Sequence, residues 1–312
     1  MSRLKWLLVM VLAWAAVWSN PTGLPAEDDL HLSVMTFNIR YSAAADGPNR
    51  WPLRREMVVE VVRRFDGDFV GVQEAMPDQV AYLREKLPEY GLIVRSRLKD
   101  PNEGEAVPLL YQSRRWRLDE QQQGTFWLSD TPEVPASTTW GNTIPRICTW
   151  GRFVQTESGR AVCVYNTHFD HLSEPSRQKS AELLAQRIAG RKSPDPVILT
   201  GDFNCREASV AIRFLQGSSK DTPAGLGVPD KPPLKLVDTF RLRCPGEAQV
   251  GTFGGFRGDR DGAKIDYVFA LPGVKVVDAE IVHFNQDGRY PSDHYPVTAR
   301  MVIPEAAAKG PE

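Results

Sequence analysis

The stretch PVILTGDFN, residues 196–204, packs four β-prone residues (Val197, Ile198, Leu199, Thr200) between a proline and a glycine. A run this short and this apolar reads as a strand buried on both faces. It runs directly into a carboxylate and an amide, Asp202 and Asn204. These lie two residues apart, so an extended backbone turns them the same way. The same arrangement recurs on either side. Leu32–Ile39 (LSVMTFNI) carries Asn38 near its end, and Asp68–Val72 (DFVGV) runs into Gln73-Glu74. Ala161–Thr167 runs into His168, Asp266 opens the strand expected over Lys264–Phe269, and Asp293-His294 stand at the head of His294–Val302. In α/β folds ligands bind where strands end and loops begin. Six polar strand ends can therefore converge on one cleft.

Helical spacing of apolar residues appears three times: Arg54–Phe65 (Met57, Val58, Val61, Val62, Phe65), Asp78–Leu87 (Val80, Leu83, Leu87) and Glu174–Ala189 (Leu183, Leu184, Ile188). Between the helices lie further strand patterns at Leu92–Val94, Val107–Gln112, Trp116–Glu120, Gly124–Leu128 and Ile147–Gln155. Gly251–Phe253 and Val274–Val282 follow near the C-terminus. Mixed strands with helices between some of them predict two packed sheets covered by helices. No Ser-, Gly- or Pro-rich linker divides the chain, so one domain is expected over 28–304. Residues 217–235 read as a surface insertion and 305–312 as a flexible tail.

Composition narrows the class. The chain has 312 residues, 42% hydrophobic and 25% charged, with 24 Gly and 24 Pro. This excludes a disordered chain, a collagen and a polytopic membrane protein. Lys+Arg is 38 against 39 Asp+Glu, a net −1, without the basic excess of a dedicated nucleic-acid binder.

At the N-terminus, Arg3 and Lys5 precede an apolar run from Trp6 to Trp18, which Ser19-Asn20-Pro21 breaks. This is a secretory signal pattern, expected over 1–26, and too short to span a bilayer. Removing it takes away two positive charges and no negative one, so −1 becomes −3. The expected location is secreted or periplasmic, with no stable membrane insertion. Four widely spaced cysteines, Cys148, Cys163, Cys205 and Cys244, contain no CxxC pair. They read as buried thiols with at most one bridge, not as a zinc site.

The strand-end set is chemically coherent. Carboxylates and amides are hard ligands suited to Mg²⁺ or Mn²⁺. Histidines beside them serve proton transfer or phosphate contact. No GxSxG nucleophile elbow occurs, which favours an activated water over a covalent intermediate. The motifs TFNIR (36–40), VQE (72–74), NTHFD (166–170), GDFN (201–204), IDYVF (265–269) and SDH (292–294), in this order, resemble the endonuclease/exonuclease/phosphatase superfamily. The resemblance implies a four-layered αββα sandwich with a deoxyribonuclease-I-like fold, and hydrolysis of a phosphate ester. RWPLRRE (50–56), GTFWLSDTPEVP (124–135), PRICTW (145–150) and GRYPSDH (288–294) are similar to a bacterial subgroup whose relatives include sugar-phosphate phosphatases.

The same resemblance implies roles. Glu74 would be the central metal ligand, with Asn38 and Asp293 beside it. Asp202 would orient or deprotonate water, and Asn204 would hold phosphate oxygens. His168 and His294 would stabilise developing charge, with Asp266 fixing the His294 ring. Glu105 would orient His168, and His171 would support it from behind. Arg40, Arg146 and Arg177 are the candidates for substrate contact, since a guanidinium fork suits phosphate. Trp51, Trp127, Trp140 and Trp150 are read first as core and second as stacking surfaces.

The expected activity is metal-assisted hydrolysis of a small mono- or diester by a monomer. A secreted nuclease is the second reading, and a non-catalytic binding relative the third. A sphingomyelinase-like enzyme would want an exposed apolar hairpin, and none is legible.

Overall fold

The computed structural model describes residues 29–218 and 234–305. The expected signal segment, residues 219–233 of the expected insertion and residues 306–312 of the tail lie outside the described residues. Strands run β1 (Leu30–Asn38), β2 (Phe69–Gln73), β3 (Tyr90–Ile93), β4 (Leu109–Gln112), β5 (Trp116–Trp127) and β6 (Ile147–Gln155). They continue as β7 (Ala161–His168), β8 (Val197–Asp202), β9 (Val237–Asp238), β10 (Asp266–Ala270), β11 (Lys275–Ile281) and β12 (Val297–Ile303). Helices are α1 (Arg55–Phe65), α2 (Pro77–Lys86), α3 (Glu174–Ala189), α4 (Val210–Leu215) and α5 (Thr239–Arg243). Two six-stranded mixed sheets result, ordered β11-β12-β1-β2-β4-β3 and β5-β6-β7-β8-β10-β9. Flanked by helices, they form the α/β sandwich that the motif order implies.

Strand parity explains the layers. On β1, Leu30, Leu32 and Val34 face a core shared with the second sheet, together with Phe69, Val164, Ile198 and Val268. Met35 and Phe37 face the other way, onto Val58, Val61 and Val62 of α1 and Val80 and Leu83 of α2. On β8, Val197 and Leu199 face Leu184 and Ile188 of α3. Period-two alternation thus assigns each strand one face for helices and one for the opposite sheet.

The face between the sheets changes character along its length. Val164, Ile198 and Ala270, level with one another, are apolar. One step further, Asn166 pairs in register with Thr200, and the row beyond that is His168, Asp202 and Asp266. Gln73 Nε2 donates across the sheets to Asn166 Oδ1 at 2.7 Å, and Asn166 Nδ2 donates to the Val72 and Pro108 carbonyls at 2.8 and 2.9 Å. Gly71 lies in this seam because nothing larger fits. A Cβ there would sit 2.2 Å from Thr200 Oγ1 and 2.5 Å from Asn166 Oδ1. Gly71→Ala is expected to lower stability by about 1–3 kcal/mol through overpacking, read as a reduced denaturant midpoint at constant m-value.

Three sequence expectations change. Trp116–Glu120 and Gly124–Leu128 are one strand, β5, with a register irregularity between Leu118 and Gln123. Gly251–Phe253 is not a ladder strand: Phe253 makes only an isolated bridge, to His294. The last strand starts at Val297, which leaves Asp293 and His294 in a loop. The four cysteines are free thiols, three of them buried. Among the described residues no helix is long and apolar enough to cross a membrane.

Candidate active site

The polar row opens into a cleft of about 660 Å³. It is lined by Arg40, Glu74, Glu105, Arg146, His168, His171, Asp202, Asn204, Asp293 and His294, which the sequence singles out, and by Tyr41, Arg97, Ile144, Phe253 and Ile265, which it does not. Asp202 sits at its centre because β8 lies between two neighbours. His168 on parallel β7 is its register partner on one side, and Asp266 on antiparallel β10 on the other. From the facing sheet, Asn38 Nδ2 donates to Asp202 Oδ2 at 3.0 Å and to Glu74 Oε1 at 3.1 Å. Asn38 Oδ1 accepts from the Arg40 N–H at 3.0 Å. The Asn38 amide is therefore a strut between two carboxylates that belong to different sheets.

Turns aim the remaining groups. Glu74 and Asn204, each just past a strand, adopt left-handed φ values of 62° and 48°. This conformation is uncommon outside glycine and clusters at functional sites. Glu74 Oε2 is held by the Tyr41 N–H at 3.0 Å. Ser292 Oγ donates to the Asn38 carbonyl at 2.7 Å, which ties the SDH loop to the end of β1. Arg54, from RWPLRRE, is buried, and its guanidinium donates to the carbonyls of Ile39, Arg40, Asn49 and Pro291. One side chain so knots the two loops that carry Asn38, Arg40 and Asp293.

The electrostatics differ sharply from group to group. Burial, followed by the charge of Asp266, pushes Asp202 up to about 7, against His294 and two N–H donors. Burial alone would lower His294, yet Asp266 (Nδ1 to Oδ2, 3.0 Å) and Asp202 (3.8 Å) hold it well above an ordinary histidine. His168 shifts the opposite way, driven first by burial and then by Arg146 and Arg97. Its Nδ1 faces Arg146 Nη1 at 3.2 Å. An arginine only donates, so Nδ1 carries the lone pair and Nε2 the proton. That Nε2 lies 3.5 Å from Asp202 Oδ2, the acceptor for its proton, and 3.2 Å from Asn204 Nδ2, itself a donor, which bonds the Phe169 carbonyl at 3.1 Å. At neutral pH Asp202, raised to about 7, thus stands between the His294 imidazolium and the neutral His168 imidazole.

Two sets of side chains suit a cation. Asp202, Asp266 and His294 bring ligand atoms within 4.8 Å of one another. There the His294 imidazolium already supplies the positive charge. Glu74 and Asp293 offer hard oxygens instead. Burial raises Asp293 first, and the Glu74 charge raises it further. Arg40 Nε is 3.7 Å from Asp293 Oδ2, but Arg40 also grips Asp46 at 3.1 Å through two nitrogens. Glu74 and Asp293 line the same cleft, and their carboxylate oxygens are the donor type a divalent ion such as Mg²⁺ takes.

Other expectations are corrected. Glu105 does not orient His168. Its oxygens take two 2.8 Å bonds from Arg97, because both residues sit on one bridged pair of chain segments. Arg146 holds His168 in its place and also donates from Nη2 to His171 Nδ1 at 2.9 Å. Arg177 stays outside the main cleft. It donates to the Asp170 carbonyl (2.9 Å) and Glu174 (3.1 Å) and lines a neighbouring hollow with Asn204 and Arg206. None of Trp51, Trp127, Trp140 or Trp150 lines the cleft. Trp127 and Trp140 spend their N–H groups on the Arg97 carbonyl and Asp130. Tyr41 and Phe253 are the aromatic walls. Nothing periodic marks Arg97 in the sequence, where it stands in the run Arg95-Ser96-Arg97-Leu98-Lys99.

A row of carboxylates and histidines at the lip of a two-sheet sandwich, completed by Asn and Glu from the facing sheet, defines a phosphoester hydrolase with the deoxyribonuclease-I-like fold. The chain belongs to the Endonuclease/Exonuclease/phosphatase family, which it matches over residues 35–294. Among solved structures, it is 26% identical to an endonuclease/exonuclease/phosphatase family protein from Bacteroides thetaiotaomicron, with a TM-score of 0.77 over 91% of this chain and 99% of that one. A mannosyl-6-phosphatase from Bacteroides thetaiotaomicron VPI-5482 is 29% identical, with a TM-score of 0.72 over 86% and 99% of the two chains. Tyrosyl-DNA phosphodiesterase 2 of Mus musculus is 24% identical over 89% of this chain and 68% of its own. The chain spans 59% of the length of another curated relative, an uncharacterized mimivirus protein.

Proposed function

We propose that this protein is an exported phosphoesterase that uses Mg²⁺ or Mn²⁺ to hydrolyse a small phosphate ester, such as a sugar phosphate, by attack of water. The observation that carries this reading is the Asp202 row. A carboxyl raised to about 7 stands between a histidine that donates and an imidazolium, in a cleft sized for a small molecule. The sequence's signal pattern supports export. The likeness to a mannosyl-6-phosphatase supports a sugar ester.

Each residue has a task in this reading. Glu74 and Asp293 would hold the ion, with Asn38 beside them; when bound, it supplies Lewis-acid stabilisation of phosphate charge. Asp202 accepts a proton from the attacking water. His294 and the Nε2–H of His168 donate to phosphate oxygens. Asp266 keeps His294 protonated. Asn204 positions the phosphate, and Arg40 screens Asp293.

EDTA is expected to abolish hydrolysis, and Mg²⁺ or Mn²⁺ to restore it, in a screen of sugar phosphates, nucleotides, diesters, lipids and DNA. Activity that survives exhaustive chelation rejects the metal assignment. The second reading, a nuclease, draws on the likeness to tyrosyl-DNA phosphodiesterase 2. It requires DNA cleavage whose binding weakens steeply with salt. The net charge of −1 disfavours that. A monomer is the expected state, checked by light scattering.

A further inference from the structure

Beyond His168 the cleft wall is made of Arg97, Glu105, Arg146 and His171. Arg97 and Glu105 sit on adjoining segments: the Arg97 N–H donates to the Glu105 carbonyl at 2.9 Å, and Ala106 bridges both Ser96 and Ala75, next to Glu74. The pair is therefore held by backbone rather than by a free loop. Glu105 engages two of the five N–H groups of Arg97, and the rest have no partner among the described residues. Each Glu105 oxygen keeps a lone pair. Arg146 is 4% exposed, and its Nε has no hydrogen-bond partner, lying only in a 3.5 Å ionic contact with Asp170. What this wall offers a ligand is the unengaged N–H groups of Arg97 and the open lone pairs of Glu105.

Its charge says which ligand. Each guanidinium has its own carboxylate, Glu105 for Arg97 and Asp170 for Arg146. The wall is dipolar rather than positive. A second phosphate would meet the Glu105 carboxylate head-on. Neutral hydroxyls both donate and accept, and two adjacent hydroxyls match a guanidinium beside a carboxylate. We infer that Arg97, Glu105, Arg146 and His171 form a hydroxyl-reading subsite that selects the phosphate ester of a vicinal polyol, a sugar above all, over esters bearing a second phosphate. This rests on the phosphoesterase reading above and names its substrate class.

The test compares kcat/KM for a hexose 6-phosphate, a hexose bisphosphate and p-nitrophenyl phosphate, in the wild type, Glu105→Gln and Arg97→Lys. The wild type should prefer the hexose monophosphate to both others. Either substitution should cut the ratio of hexose phosphate to aryl phosphate by about 10- to 100-fold, since a site built around hydroxyls discriminates through its own buried polar groups. Binding of a hexitol phosphate by calorimetry should weaken in parallel, and near-unchanged melting temperatures would show the variants folded. Equal losses on sugar and aryl esters overturn the subsite and make the pair a support of the catalytic centre. A wild-type preference for the bisphosphate overturns it in favour of an anion site. Failure to hydrolyse any monoester with Mg²⁺ or Mn²⁺ rejects the underlying function instead, and the subsite with it.

Discussion

Asp202→Asn is expected to lower kcat by about 10³-fold or more and, at the same time, to make the metal-free protein more stable above neutral pH. The first effect follows from removing the carboxyl that reaches both His168 (3.5 Å) and His294 (3.8 Å) and is assigned the proton of the attacking water. General-base catalysis contributes typically 10²–10⁴-fold. The second follows from the sign of the shift. Folding raises Asp202 from the ordinary 3.8 to about 7, burial first and Asp266 next. A raised folded-state value means that the folded chain binds the proton more tightly. The stabilisation is full below the unfolded value and is lost as pH rises through about 7. At ~1.36 kcal/mol per unit, the ceiling is roughly 4 kcal/mol. An amide avoids this loss and still accepts from Asn38. At pH 8 in EDTA its melting temperature should exceed the wild type's by roughly 3–8 °C, and the gap should shrink toward pH 4. A variant that is less stable at pH 8 would show that the carboxylate is at home in the fold, and the general-base assignment would lose its electrostatic basis.

His294→Ala should reduce kcat by about 10²–10³-fold, the usual cost of losing one preorganised donor, with smaller change in metal affinity because Glu74 and Asp293 are untouched. It should also destabilise the fold, for a reason separable from catalysis. Asp266 is 1% exposed, its Oδ2 is bonded to His294, and its Oδ1 already has no hydrogen-bond partner. Without the imidazolium a bare carboxylate is buried, a situation that costs about 3–5 kcal/mol. Adding Asp266→Asn to His294→Ala should recover much of the melting temperature and none of the turnover. Recovery of both, or of neither, would mean that the two residues do not act as the imidazolium–carboxylate pair the geometry describes. In the wild type His294 is raised, so its stabilisation is present at low pH and fades only on the alkaline side.

How much of this was open to a reader of the chain alone depends on whether the information was periodic. Alternation along LSVMTFN and VILTGD already commits Asn38, Thr200 and Asp202 to one face of their strands, because side-chain parity is a property of any extended backbone. The apolar-to-polar change along those runs, and the order of the six motifs, were enough for the sandwich, the reaction class and the residues of the central row. Parity says nothing of partners. That Asn38 reaches across to Asp202 at 3.0 Å, and that His168 stands beside Asp202 while Asp266 flanks its other side, follows from strand order and register between segments far apart in the chain. The loops were opaque for the same reason. Glu105 takes Arg97 and leaves His168 to Arg146, because short-range charge pairing is decided by distances of a few ångströms that only the packed sheets establish. An arginine in the run Arg95-Ser96-Arg97-Leu98-Lys99 carries no period that would have announced it.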